Sequence, residues 1–158
     1  MERIYEKSNG LLTIYTFLSY NIVVRTYRTV NHSKHLLLYH IIFPTKYRKN
    51  IFVGNDEFIT NLKSVVVECV SKTSATVEAI EVDTNHLHMM VRLTSVHSIS
   101  RLVHCIKQFT TYYMWKRHSL WLSRFYWNKH YLWTRGYFSS TIGNVSDTTL
   151  EMYIKNQG

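Results

Sequence analysis

Residues 76–83 read TVEAIEVD and residues 86–93 read HLHMMVRL, with only Thr84-Asn85 between them. The first run is rich in β-branched residues, and the second places an apolar residue at every other position. Two strands joined by so short a polar turn predict a β-hairpin. Side chains alternate across a strand, so Leu87, Met89, Val91 and Leu93 share one face, the face expected to meet helices. His86, His88, Met90 and Arg92 share the other, expected to be open. Two imidazoles about 7 Å apart along one strand face can converge on one cation. Neutral imidazole suits Zn, Mn, Fe, Co or Ni, and with phosphate oxygens completing the shell the pair also accepts Mg. Taken alone, His-x-His on a strand is equally a surface pair with no ligand.

Outward from the hairpin, the chain alternates strands and helices. Residues 35–43 (HLLLYHIIF) predict a buried strand, closed by Pro44 and the basic turn Thr45-Lys46-Tyr47-Arg48-Lys49. Asn55 is placed to cap a helix whose first turn carries Asp56 and Glu57, with Phe58, Leu62, Val65, Val66, Cys69 and Val70 at helical spacing. A second helix is expected from Ser98, with Ile99, Leu102, Val103, Ile106, Phe109 and Tyr113 on its apolar stripe and Arg101, His104 and Gln108 off it. Residues 130–139 (HYLWTRGYFS) predict a last strand, and Ser146 opens a terminal helix with Val145 and Leu150 at hydrophobic-staple positions. This order predicts an α+β ferredoxin-like sandwich, one antiparallel sheet with helices on one face.

Charge narrows the function. The 158 residues carry 19 Lys and Arg against 10 Asp and Glu, a formal net charge of +9. A domain this basic suits a polyanion, nucleic acid or an anionic surface. No acid occurs between Asp83 and Asp147, a stretch that holds eight Lys and Arg and the rings of Tyr112, Tyr113, Trp115, Trp121, Phe125, Tyr126, Trp127, Tyr131, Trp133 and Tyr137. Cations interleaved with rings suit single-stranded nucleic acid, whose bases can stack, although rings in such a run also build cores. Two cysteines provide neither a disulfide framework nor a Cys-rich zinc site, consistent with a reducing, cytoplasmic setting. The apolar run Leu11–Val24 is too short and too polar to span a membrane, so no membrane partner is expected.

In the terminal helix Tyr153 and Gln157 stand at i and i+4, neighbours on one face. A phenol is a poor nucleophile unless activated, yet a phosphotyrosine ester is a workable covalent intermediate, and a Gln carbonyl oxygen is a plausible third ligand. An ordinary packing tyrosine fits the same pattern.

Together these motifs resemble the single-tyrosine HUH transposases of small bacterial and archaeal insertion sequences, the IS200-like family. The resemblance rests on Tyr39-His40-Ile41-Ile42-Phe43 with Thr45-Lys46-Tyr47-Arg48, on Asn85-His86-Leu87-His88, on Leu132-Trp133-Thr134-Arg135-Gly136-Tyr137-Phe138 with Ser140-Thr141-Ile142-Gly143-Asn144-Val145, and on Tyr153-Ile154-Lys155-Asn156-Gln157, in that order. It implies a metal-dependent enzyme that cleaves and rejoins single-stranded DNA at transposon ends through a 5′-phosphotyrosine. Tyr153 would be the nucleophile on a C-terminal catalytic helix, and His86, His88 and Gln157 the ligands of Mg or Mn. Single-stranded DNA with hairpin ends would be the substrate and a homodimer the working unit, in the cytoplasm of a bacterium or archaeon. Residues 33–158 would form the transposase domain and residues 1–32 an N-terminal extension with partial order. Arg92, Arg101 and Lys107, with Lys46 and Arg48, are candidates for DNA contacts. Tyr137 is a competing nucleophile, disfavoured because no good oxygen ligand follows four residues on. Two alternatives keep the fold: a DNA-binding remnant that has lost catalysis, and an RNA-binding module of the RRM type, which would present Tyr39 and Phe43 outward on its strand.

Overall fold

The computed structural model describes residues 28–30 and 33–142, other than residues 97 and 128. Strands β1 (Arg28–Val30) and β2 (Ser33–His35) form a small antiparallel ribbon that straddles the expected boundary between residues 32 and 33. The rest runs β3 (Leu37–Pro44), a 3-10 turn (Lys46–Arg48), α1 (Asp56–Ser71), β4 (Thr76–Asp83), β5 (His86–Leu93), α2 (Ile99–Tyr126) and β6 (Phe138–Thr141). The sheet order is β4-β5-β3-β6, with every neighbouring pair antiparallel. This is the ferredoxin-like α+β sandwich that the sequence predicts. The apolar run Leu11–Val24 and the terminal helix expected from Ser146 lie outside the described residues.

Local chemistry explains the elements. Asn55 caps α1, its side-chain oxygen accepting the Phe58 N–H at 2.9 Å, and all six residues of the expected apolar stripe are buried. Thr84 and Asn85 turn β4 into β5, and the two strands have the predicted bounds. A register shift between Val77 and Ala79 leaves Glu78 as a bulge, and its carboxylate receives the Arg92 Nε–H at 2.6 Å. Helix α2 is longer than its first apolar stripe: it continues to Tyr126, with a break at His118 (φ −129°, ψ 35°). There the His118 ring packs edge-on to Phe58, and its Nε2 lies 2.9 Å from Asn61 Nδ2 on α1.

The core lies between the sheet and α1 and α2. Ile41, Phe43, Leu87, Met89, Val91 and Leu93 meet Phe58, Leu62, Val66, Leu102, Val103 and Ile106 there. Burying one such side chain is worth about 1.5–3 kcal/mol. Two expectations need correction. The last strand covers only Phe138–Thr141, not 130–139, because Leu132 and Trp133 turn into the core and Trp133 Nε1–H donates to Thr110 Oγ1 at 2.8 Å instead of extending a ladder. The second sheet face is also only partly open: Leu38, His88 and Met90 lie on it and are buried, whereas His40, Ile42, His86 and Arg92 are half-buried. Leu38, Ile42 and Met90 set an apolar patch among the polar residues of this face.

Candidate active site

Pairing β3 against β5 sets Ile42 opposite His88, His40 opposite Met90 and Pro44 opposite His86. His86 and His88 therefore project from the same face, as the alternation requires, and their ring centroids are 4.5 Å apart. A third imidazole joins them. His40 on β3 lies parallel to His88, with centroids 5.4 Å apart and planes within 9°, and its Nε2 is 3.2 Å from His88 Nδ1. His40 was missed because the β3 run reads as uniformly apolar; the signal is its place on the same face as His88, diagonal to it across the pairing.

The rings are held as neutral bases. Burial, then the neighbouring His86 and His40, pushes the His88 pKa down to about 4. Burial lowers His40 as well, and His86 is lowered by burial and by the Arg48 charge, against an opposing pull from Asp83. Neutral imidazole is the form that donates a lone pair to a metal. His86 Nδ1 is 3.0 Å from Asn85 Oδ1, and its Nε2 is 3.8 Å from Asp83 Oδ2. Among the described residues no set of three His, Cys, Asp or Glu side chains is arranged to hold a metal ion. The donor pair fits a divalent cation whose remaining ligands come from elsewhere, such as an amide oxygen and phosphate.

A basic loop is fastened beside the pair. The buried Thr45 donates its N–H to Asn85 O at 2.9 Å and its hydroxyl to Lys49 O at 2.8 Å, and bridges to Trp133. Lys46 N–H donates to Leu132 O at 2.8 Å, and the Tyr126 hydroxyl donates to Lys46 O at 3.1 Å. Lys46 Nζ sits over the rings of Tyr47 and Tyr131, and Arg48 is exposed.

The other candidates are dispersed. Arg92 is paired with Glu78, and Arg101 is exposed on the first turn of α2. The Lys107 ammonium donates to three carbonyls, those of Thr134, Arg135 and Gly136, at 3.0, 3.0 and 2.7 Å. Tyr137 packs against the core, with its hydroxyl 3.0 Å from Ser100 Oγ. Tyr153 and Gln157 lie outside the described residues. Of the aromatic run, Trp115, Tyr126 and Trp133 are core, whereas Tyr112, Trp127 and Tyr131 are exposed. The RRM-type platform fails on its rings, since Phe43 is fully buried on the helix side and Tyr39 packs against the same core.

Comparison with known proteins bears on the family and the fold. The family model described as "Transposase IS200 like" matches residues 33–157. A crystal structure from Deinococcus radiodurans R1, assigned as a transposase, superposes with a TM-score of 0.66 at 25% identity, covering 82% of this chain and 97% of that one. A REP-associated tyrosine transposase bound to a REP hairpin has a TM-score of 0.50 at 12% identity, covering 78% of this chain and 68% of that one. No curated protein matches. No helix among the described residues is long and apolar enough to cross a membrane. With a family model spanning most of its length and a shared ferredoxin-like sheet, the chain belongs to the IS200-like family of DNA transposases.

Proposed function

We propose that this chain cleaves and rejoins single-stranded DNA at transposon ends through a 5′-phosphotyrosine on Tyr153. The observation that carries the reading is the pair of neutral imidazoles, His86 and His88, with ring centroids 4.5 Å apart on one sheet face beside a basic loop. His86, His88 and Gln157 would hold Mg or Mn. When bound, the cation would polarise the scissile phosphate and align it for in-line attack. The Tyr153 oxygen bonds to phosphorus as the P–O3′ bond breaks; the phenol gives up its proton and the departing 3′ oxygen gains one. One phosphoester replaces another, so the 3′-OH of a second strand can reverse the step and join DNA without ATP.

Lys46, Arg48 and Arg101 would meet backbone phosphates. Arg92 and Lys107, already engaged by Glu78 and by three carbonyls, would add positive potential. The hairpin bound by the REP-associated relative supports hairpin-ended single strands as the substrate here. The working unit would be a cytoplasmic homodimer, and residues 33–158 the domain that acts, with 1–32 as its extension. The test is incubation with single-stranded DNA from the flanks of the chain's own gene plus Mn²⁺, scored for a covalent protein–DNA band. Tyr153→Phe should abolish the band and keep binding. Binding without any band in the unaltered protein would identify the catalytically decayed remnant instead.

A further inference from the structure

We propose that Tyr47, braced by Tyr131 and flanked by Lys46 and Arg48, is a stacking subsite for an unpaired nucleobase. The proposal rests on the DNA reading above and deepens it.

Tyr47 combines exposure with an anchored backbone. The residue is 64% exposed, although the loop that carries it is tied to Asn85, Leu132 and Tyr126 through Thr45 and Lys46. Tyr47 and Arg48 both adopt positive φ, 59° and 51°. Two consecutive non-glycine residues in the left-handed region persist only where the surroundings enforce them, and such strain gathers at ligand clamps. Here it holds a large ring out in solvent, away from the core that absorbs Trp115, Tyr126 and Trp133.

The ring's surroundings suit a nucleotide. Tyr131 meets Tyr47 edge-to-face, with centroids 6.1 Å apart, and is itself 37% exposed. Lys46 Nζ is 4.8 Å from the Tyr47 centroid and 5.3 Å from that of Tyr131. A cation held over an exposed ring sets a phosphate contact next to a stacking contact. An apolar protein partner would use the rings and leave both charges unanswered; a lone phosphate would use the charges and ignore the rings. The loop also adjoins the histidines, since its neighbour Asn85 precedes His86 and the Arg48 charge reaches that ring. A base held here would flank the phosphate at His86 and His88.

The test measures binding of an oligothymidylate, and of a series each carrying a single abasic position, to the unaltered protein, Tyr47→Ala and Tyr47→Trp. Tyr47→Ala should weaken binding roughly 5- to 150-fold, the range expected for one stacked base, while Tyr47→Trp retains it. One abasic position should cost the unaltered protein the same factor and cost Tyr47→Ala nothing further. Unchanged affinity in Tyr47→Ala, or additive losses at every abasic position, would overturn the subsite and leave the DNA reading intact. No binding by the unaltered protein either to oligothymidylate or to hairpin-ended strands from the flanks of its gene would overturn the DNA reading itself.

Discussion

His40 Nε2 lies 3.2 Å from His88 Nδ1, so the buried His88 imidazole is held through one of its nitrogens by a ring on the neighbouring strand. Ligating imidazoles are commonly oriented through their second nitrogen in this way, and loss of the orienting group typically costs 10- to 100-fold in metal affinity. His40→Phe, which keeps a ring but no nitrogen, should weaken Mn²⁺ binding by about that factor. His40→Gln should recover part of it. Electron paramagnetic resonance of free Mn²⁺ reads both, and equal affinity in His40→Phe would show that His88 holds its orientation unaided.

Acid should destabilise the metal-free protein through His88. Its folded pKa is about 4, below the usual 6.5, so between those values the unfolded chain binds more protons than the folded one. The contribution is therefore complete above pH 6.5 and is lost as pH falls toward 4, amounting to at most about 3 kcal/mol. Urea denaturation at pH 7, 5.5 and 4 should show this decline, and His88→Phe should flatten it. An equally steep decline in that variant would assign the acid sensitivity to other groups.

Because His88 is buried and the His86 side chain is 21% exposed, alanine at the two positions should differ. Both should abolish adduct formation. His88→Ala should cost about 1–3 kcal/mol of stability and His86→Ala less than 1 kcal/mol. Chemical denaturation beside the adduct assay separates the two effects.

How far the sequence reached depended on the range of the interactions. The bounds of β4 and β5, the Asn55 cap and the buried stripe of α1 follow from period and local hydrogen bonding, and all were legible. The pairing of His86 with His88 was legible for the same reason. His40 was not, because its role comes from the pairing of β3 with β5, 48 residues apart in the chain. Trp115 and Trp133 likewise sit in a basic, ring-rich stretch whose composition suits DNA, and only tertiary packing turns them inward. The short β6 reflects the same competition, since tryptophan burial outweighs local β propensity at Leu132 and Trp133.

Thr110 illustrates a buried polar residue with a definite task. Its hydroxyl accepts from Trp133 Nε1–H at 2.8 Å and donates to Ile106 O at 2.7 Å. Thr110→Val preserves shape but leaves the indole N–H without its acceptor, and should cost about 1–3 kcal/mol. Thermal or urea unfolding measures it, and adding Trp133→Phe should restore part of the loss by removing the stranded donor.

Lys107 stitches the segment before β6 to α2 through three carbonyls. Lys107→Met should lower stability by about 1–2 kcal/mol. Its effect on DNA affinity should be smaller than that of Lys46→Met or Arg48→Met, measured by titration at fixed salt. The reverse ranking would mean that Lys107 leaves its carbonyls to bind phosphate.

The bond from Thr45 N–H to Asn85 O and the one from Lys46 N–H to Leu132 O involve main-chain atoms only. The side chains from Tyr47 to Lys49 can thus be exchanged for others that tolerate the positive φ of Tyr47 and Arg48 without removing either bond. If the loop meets DNA as proposed, affinity for foreign strands would be tunable at this tip while the imidazoles keep their coordinates.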